Sequence, residues 1–134
     1  MNERDWQPLI EAAKAARQRA YAPYSNYHVG AALLGADGQM YGGCNVENAS
    51  YPVTLCAERV ALSHAVSMGC RRFKALVVTT QGHRPVSPCG MCRQALNEFA
   101  PQLPILLVPE KGPSRQVLLN DILPDAFGPS DLGK

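Results

Sequence analysis

No stretch of the 134-residue chain approaches the roughly 18 apolar residues of a membrane-spanning helix. There is no internal repeat, no block of like charge and no low-complexity tract, with Gly and Pro at only 11 each. The opening MNERDWQPLI carries no apolar stretch behind a basic start, so it does not read as a secretory leader. Net charge is only +2, from 13 basic and 11 acidic residues. That balance argues against a polybasic nucleic-acid grip. Disorder is excluded in turn, because 46% of residues are hydrophobic and net charge is small. The expectation is one domain over 1–134, soluble and cytoplasmic, with neither nucleic acid nor membrane as partner.

Hydrophobic periodicity orders the elements. Leu9, Ala12, Ala13, Ala16 and Ala20 recur at helical spacing and predict a helix over 6–20. His28–Leu34 and Met40–Val46 read as strands of a hairpin turning at Asp37-Gly38, with Gly42-Gly43 a bulge or a point of close approach. A loop over 48–55 leads into a helix over 57–68, which Gly69 stops. Its stripe is Ala57, Val60, Ala61, Ala65 and Met68, with Leu62 and Val66 outside it, so burial on several sides is expected. FKALVVTT over 73–80 reads as a central strand, 90–100 as a helix and 104–109 as a buried strand. A fifth strand is expected over 115–119 and a short helix or turn over 120–127. Helices alternating with buried strands imply a helix layer on each face of a sheet, and the opening hairpin makes that sheet mixed. The fold class is therefore α/β, a three-layer α/β/α sandwich on five strands.

Five cysteines cannot all pair within the chain, and reduced thiols or metal ligation fit a cytoplasmic protein better than disulfides. A lone Cys89-x-x-Cys92 is weak evidence: it suits a redox pair, half a zinc site or two buried thiols equally. Cys56 changes the weighing. Cys56 and Cys89 each stand at the start of a predicted helix, where free N–H groups and the helix dipole favour thiolates. If those helices start side by side, three thiolates converge, a set that suits Zn²⁺ with a fourth position left for water. Glu58 can share that site only if Cys56 sits at an irregular helix start, since residues two apart on a regular helix point about 200° apart. A carboxylate so placed can move protons; alone, it reads more readily as an acid favoured in a first helical turn. Arg59 would offset the negative charge of three thiolates, or be an ordinary surface arginine.

Cys56-Ala-Glu58, followed 33 residues after Cys56 by Cys89-x-x-Cys92, resembles the zinc nucleobase deaminase pattern in its three-cysteine form. Five ordered segments are similar to the small cytidine deaminases: Tyr21–Leu33, Gly43–Tyr51, Leu55–Leu62, Ser87–Gln94 and Leu123–Phe127. The resemblance implies one Zn²⁺ per chain held by Cys56, Cys89 and Cys92. It implies a zinc-bound hydroxide attacking C4 of cytidine or 2′-deoxycytidine, with Glu58 shuttling protons to ring N3 and to the leaving amine. Uridine or deoxyuridine and ammonia are then the products, in pyrimidine salvage. Asn45 and Glu47 would bind the ribose hydroxyls, the backbone at Ala57 the base, and Tyr27 would pack beside the base where the family usually has Phe. Phe127 would reach the site of a neighbouring subunit in a homotetramer. Nucleotides fit less well, since Glu47 would repel phosphate and no basic cluster would hold it.

Other readings make different demands. A modified cytosine nucleoside could be the substrate. A structural zinc module would need a fourth protein ligand, and a thiol redox protein would leave Cys56 dispensable. His64, on the second helix's apolar stripe, is expected to be buried or at an interface; His28 reads as a strand residue and His83 as a loop residue.

Overall fold

The computed structural model describes residues 3–134; the first two residues of the opening segment lie outside them. The elements run α1 (Glu3–Arg17), β1 (Gly30–Gly35), β2 (Met40–Cys44), α2 (Ala57–Ser67), β3 (Phe73–Thr80), α3 (Gly90–Asn97), β4 (Pro104–Pro109), β5 (Arg115–Leu118) and α4 (Leu119–Ile122). One sheet holds all five strands in the order β2-β1-β3-β4-β5. β3 pairs with β1 antiparallel and with β4 parallel, and β4 pairs with β5 antiparallel, so the sheet is mixed as expected. The parallel β3–β4 step uses α3 as its crossover helix.

Alternation along the central strands assigns the two faces. Ala32, Ala75, Val77 and Val108 pack against Trp6, Leu9 and Ala13 of α1. Ala31, Leu33, Leu76, Val78, Ile105 and Leu107 pack against α2 and α3 through Ala61, Ala65 and Leu96. This is the three-layer α/β/α sandwich. No helix among the described residues is long and apolar enough to cross a membrane.

Boundaries differ from the periodicity where side chains or tight turns take over backbone hydrogen bonds. α1 ends three residues before Ala20, because the amides of Arg19 and Ala20 bond back only three residues, to Ala16 and Arg17. β1 begins at Gly30 rather than His28. The His28 N–H goes to Gln81 Oε1 at 2.6 Å and the Val29 N–H to Asn45 Oδ1 at 3.0 Å, side chains standing in for a strand partner. β2 stops at Cys44, and Val46 makes only isolated bridges to Tyr21 and Leu55. The loop over 48–55 contains a 3₁₀ turn at Tyr51–Val53. α3 ends at Asn97, and the C-terminal segment is the short α4 plus a 3₁₀ turn over Pro129–Leu132.

On α2, Met68 of the expected stripe is exposed while Leu62, off the stripe, is buried. The helix has ended by Met68, so helical phase no longer directs that side chain to the sheet. His64 is exposed rather than buried, edge-on to Tyr41 with Nδ1 3.1 Å from the Gly42 carbonyl.

Two glycines set how closely the helices lie on the sheet. A Cβ on Gly30 would stand 2.2 Å from the Ala13 carbonyl oxygen of α1. One on Gly43 would stand 2.4 Å from the Ala61 nitrogen and 2.5 Å from the Ala57 oxygen of α2. Gly43 is therefore the close-approach point, and the β1–β2 register runs through it without a bulge. The neighbouring Gly42 differs, since its Cβ would meet Ala16 Cβ at an ordinary 3.6 Å. Gly43→Ala is expected to lower stability by about 1–3 kcal/mol through overpacking, while Gly42→Ala stays within about 0.5 kcal/mol. Urea unfolding of the two variants checks this, and equal effects would remove close packing as the cause.

Candidate metal and catalytic site

The site forms where α2 and α3 begin. Cys56 caps α2 with φ −75° and ψ 152°, and Cys89 caps α3 with φ −66° and ψ 168°. Both are extended rather than helical, and neither side chain makes a capping hydrogen bond to its helix, so both sulfurs are free to face outward from the helix ends. Cys92 lies one turn into α3 and is fully buried. Cys56 Sγ stands 3.8 Å from Cys89 Sγ, and Cys89 Sγ 3.6 Å from Cys92 Sγ. All three sulfurs lie within 4.8 Å of one another. Tetrahedral zinc with Zn–S bonds near 2.3 Å requires sulfurs about 3.8 Å apart. The trio therefore fits zinc in both chemistry and spacing. Among the described residues the cluster has three ligands and no fourth, which leaves one corner of a tetrahedron open.

The thiols polarise one another. Contact with Cys92, together with the Arg59 guanidinium and Cys89, pulls the Cys56 thiol down to about 5 despite its burial. Cys92, interacting with Cys56 and buried, is pushed up. Arg59 Nη2 lies 3.7 Å from Cys56 Sγ and donates to the Thr54 carbonyl at 3.3 Å. It therefore sits where it can offset thiolate charge.

A cavity of about 270 Å³ opens in front of Cys56 and Cys89. Ala57 and Glu58 line it beside the thiols, Val29, Val78 and Val86 form an apolar wall, and Tyr27, Asn45 and Glu47 stand toward the β2 side. The irregular start at Cys56 thus lets Cys56 and Glu58 face one space. Glu58 is 5% exposed. Burial pushes its carboxyl up to about 7, aided by the charge on Cys56 and opposed by its own backbone amide and Arg59.

Asn45 and Glu47 hold the segment over 24–29. Asn45 Nδ2 donates to the Tyr27 carbonyl at 2.7 Å while its Oδ1 accepts from Val29. Glu47 Oε1 accepts the amides of Tyr24 and Ser25 at 2.9 and 3.1 Å, and Oε2 accepts the Ser25 hydroxyl. Each keeps capacity toward the cavity, in a second Nδ2 hydrogen and further carboxylate lone pairs. Phe127 does not line this cavity: the residue is 58% exposed, and its carbonyl accepts from Gln94 and Asn97 of α3.

Sequence reasoning gave no separate role to Ser25, Thr54, Thr80 or Arg93. Arg93 Nε donates to the Pro88 carbonyl and Nη1 to the Ile122 carbonyl, both at 2.7 Å, tying the turn before Cys89 to α4. Ser25, Ser87 and Arg93 lie inside the quoted segments, which was the available signal; Thr54 and Thr80 carry none.

The pattern of the family described as cytidine and deoxycytidylate deaminase zinc-binding region matches residues 3–106. A cytidine deaminase of Sporosarcina psychrophila is 49% identical over 129 residues, covering 96% of this chain and 95% of that one. One from Halalkalibacterium halodurans is 45% identical over 129 residues, covering 96% and 98%. The crystal structure of a cytidine deaminase from Burkholderia pseudomallei superposes with a TM-score of 0.88 at 50% identity, covering 95% of this chain and all of that one.

Two outcomes are expected. Cys89→Ala should lose stoichiometric zinc and lower the melting temperature, because metal binding is linked to folding; retained zinc by elemental analysis would contradict the three-cysteine centre. The Ser25 hydroxyl and the two amides hold the Glu47 carboxyl below its ordinary 4.5. A depressed acid contributes stability that is present above its unfolded value and lost as pH falls through its folded value. The stability gap between wild type and Glu47→Gln should therefore be constant above about 4.5 and close below it, as read by thermal melts across acid pH.

Proposed function

The chain belongs to the cytidine and deoxycytidylate deaminase zinc-binding family, and from that premise we propose that it hydrolyses cytidine and 2′-deoxycytidine to uridine and 2′-deoxyuridine with release of ammonia. The observation that carries this is the meeting of three thiols at zinc spacing, two of which, Cys56 and Cys89, line a cavity of nucleoside size together with the buried Glu58 carboxyl. Cys56, Cys89 and Cys92 would hold one Zn²⁺. Bound there, the metal supplies a Lewis acid that makes an attacking water acidic near neutral pH.

The chain's own residues do the rest. Glu58, with its carboxyl raised to about 7, both accepts and donates a proton at neutral pH, the condition for efficient general acid–base work. It would take a proton from water, deliver one to ring N3, and pass another to the departing amine. Water adds at C4 and the C–N bond to the amine breaks, so cytidine plus water balances uridine plus ammonia. Arg59 would steady the Cys56 thiolate, and the backbone at Ala57 would meet the base. Tyr27 would pack its ring beside the base, with its hydroxyl directed to water. Asn45 and Glu47 would bind the ribose hydroxyls through the capacity they retain. A plain ribose suits this pair better than a modified nucleoside, and the Glu47 carboxylate disfavours a phosphate.

The enzyme acts as one domain in a homotetramer on this reading. Tyr51, Val53 and Leu55 are 69%, 57% and 44% exposed beside the cavity mouth, and a partner subunit would cover them. Phe127, exposed and outside its own cavity, would complete a neighbour's site. The free cysteines suit the reducing cytoplasm, where pyrimidine salvage would operate.

Glu58→Gln is expected to keep zinc and fold yet lose turnover by a factor of about 10²–10⁴. An ultraviolet assay with cytidine, alongside zinc analysis, measures both. Loss of zinc with activity would make Glu58 structural, and an inactive wild type with zinc bound would shift the substrate to a modified cytosine nucleoside.

A further inference from the structure

The turn over 24–27 carries a hydroxyl that joins two parts of the cavity wall. Asn26 has a left-handed φ of 58°, a conformation asparagine tolerates, and its N–H donates to the Ala22 carbonyl at 3.0 Å. The bend brings the Tyr27 N–H back onto Ser25 Oγ at 3.0 Å. Ser25 Oγ in turn donates its proton to Glu47 Oε2. A serine hydroxyl has one proton to give. That of Ser25 is committed to Glu47, so Ser25 lines the cavity without a donor left for a ligand.

Glu47 needs that partner. Its residue lies past the end of β2, where its N–H donates to the Tyr21 carbonyl at 2.9 Å. Its side chain crosses to the turn, and the Tyr24 and Ser25 amides both donate to Oε1. Two donors on one oxygen leave the carboxylate able to pivot about that oxygen. The Ser25 hydroxyl holds the other oxygen and so fixes the plane. The bond is charge-assisted, and accepting from Tyr27 polarises the hydroxyl further. The same Oγ anchors Tyr27 by its N–H, while Asn45 Nδ2 holds the Tyr27 carbonyl at 2.7 Å.

We propose that Ser25 is a positioning residue, fixing the plane of the Glu47 carboxylate before substrate arrives so that its remaining lone pairs face the sugar hydroxyls of the nucleoside. The proposal deepens the deaminase reading above and rests on it. Glu47 is half-buried and has several rotatable bonds. Immobilising such a side chain during binding costs affinity, and a side chain already held when ligand arrives avoids that cost. Ser25 thus acts through Glu47, without touching the substrate.

The test compares zinc-loaded, full-length wild type with Ser25→Ala, Ser25→Thr, Glu47→Ala and the Ser25→Ala/Glu47→Ala double variant. Zinc content, melting temperature and cytidine kinetics are measured for each. Ser25→Ala should keep zinc, raise KM about tenfold and leave kcat within about twofold. Calorimetry should show uridine, the product, binding to Ser25→Ala about tenfold more weakly, which reads binding apart from turnover. Ser25→Thr keeps the hydroxyl and should bring KM back to within about threefold of wild type. In the Glu47→Ala background, Ser25→Ala should change kcat/KM by less than about twofold, because no carboxylate remains to be held. Unchanged KM and uridine affinity in Ser25→Ala would overturn the role. So would an equal loss in Ser25→Thr, or the full loss recurring in the Glu47→Ala background. If Ser25→Ala does not fold, Ser25→Cys, of similar shape but a weak donor, takes its place under the same criteria. A wild type inactive on cytidine refutes the deaminase reading, and a Glu47→Ala variant as active as wild type removes the sugar contact from it. Either result takes the role of Ser25 down with that reading, whereas the three preceding results fall on Ser25 alone.

Discussion

The contact of α2 with β2 at Gly43 governs the geometry of everything above it. With no side chain between them, the backbone of α2 rests on the strand at Ala57 and Ala61. That seat brings the first residue of α2 down to the sheet, so its cap, Cys56, arrives beside Cys89 at the start of α3. Arg93 supports the other half by tying the turn before Cys89 to α4. The metal centre is thus assembled from two helix ends, each located by packing of its own helix on one face of the sheet. Side-chain reach does little of the work.

Two kinds of polar burial meet at this centre, and they serve different ends. Glu58 is withdrawn from water without a strong cationic partner, so its carboxyl holds a proton to unusually high pH. Cys56 is drawn the other way by its neighbouring thiols and by Arg59. Proton affinities pushed apart in one cavity are what the proposed division of labour between metal binding and proton transfer requires.

The loop over 24–29 connects sheet and site. Asn45 and Glu47 leave β2 and spend much of their hydrogen-bonding capacity on backbone groups of this loop. On the proposed function, substrate recognition and loop positioning would share the same side chains. A ligand that engages Asn45 or Glu47 also acts on the loop that carries Tyr27.

Much of this was legible from local pattern. The β-branched run of β3, the Asp37-Gly38 turn and the spacing of Cys56, Glu58, Cys89 and Cys92 are short-range properties, and the fold keeps them. The ends of elements were less legible. His28 left the strand because Gln81, distant in sequence, took its amide, and Met68 left the buried stripe because its helix had stopped. The choice between bulge and close approach at Gly43 needed the position of α2, and the orphaned hydroxyl of Thr80 needed every neighbour to be known. Which residues could ligate a metal or move a proton is written in local pattern, because residue chemistry and helix-start preference are local. That three sulfurs stand at zinc spacing, that Glu58 is dry and that Thr80 lacks a partner follows from packing alone, because distance, solvent exclusion and hydrogen-bond satisfaction are set by segments that meet only in the folded chain.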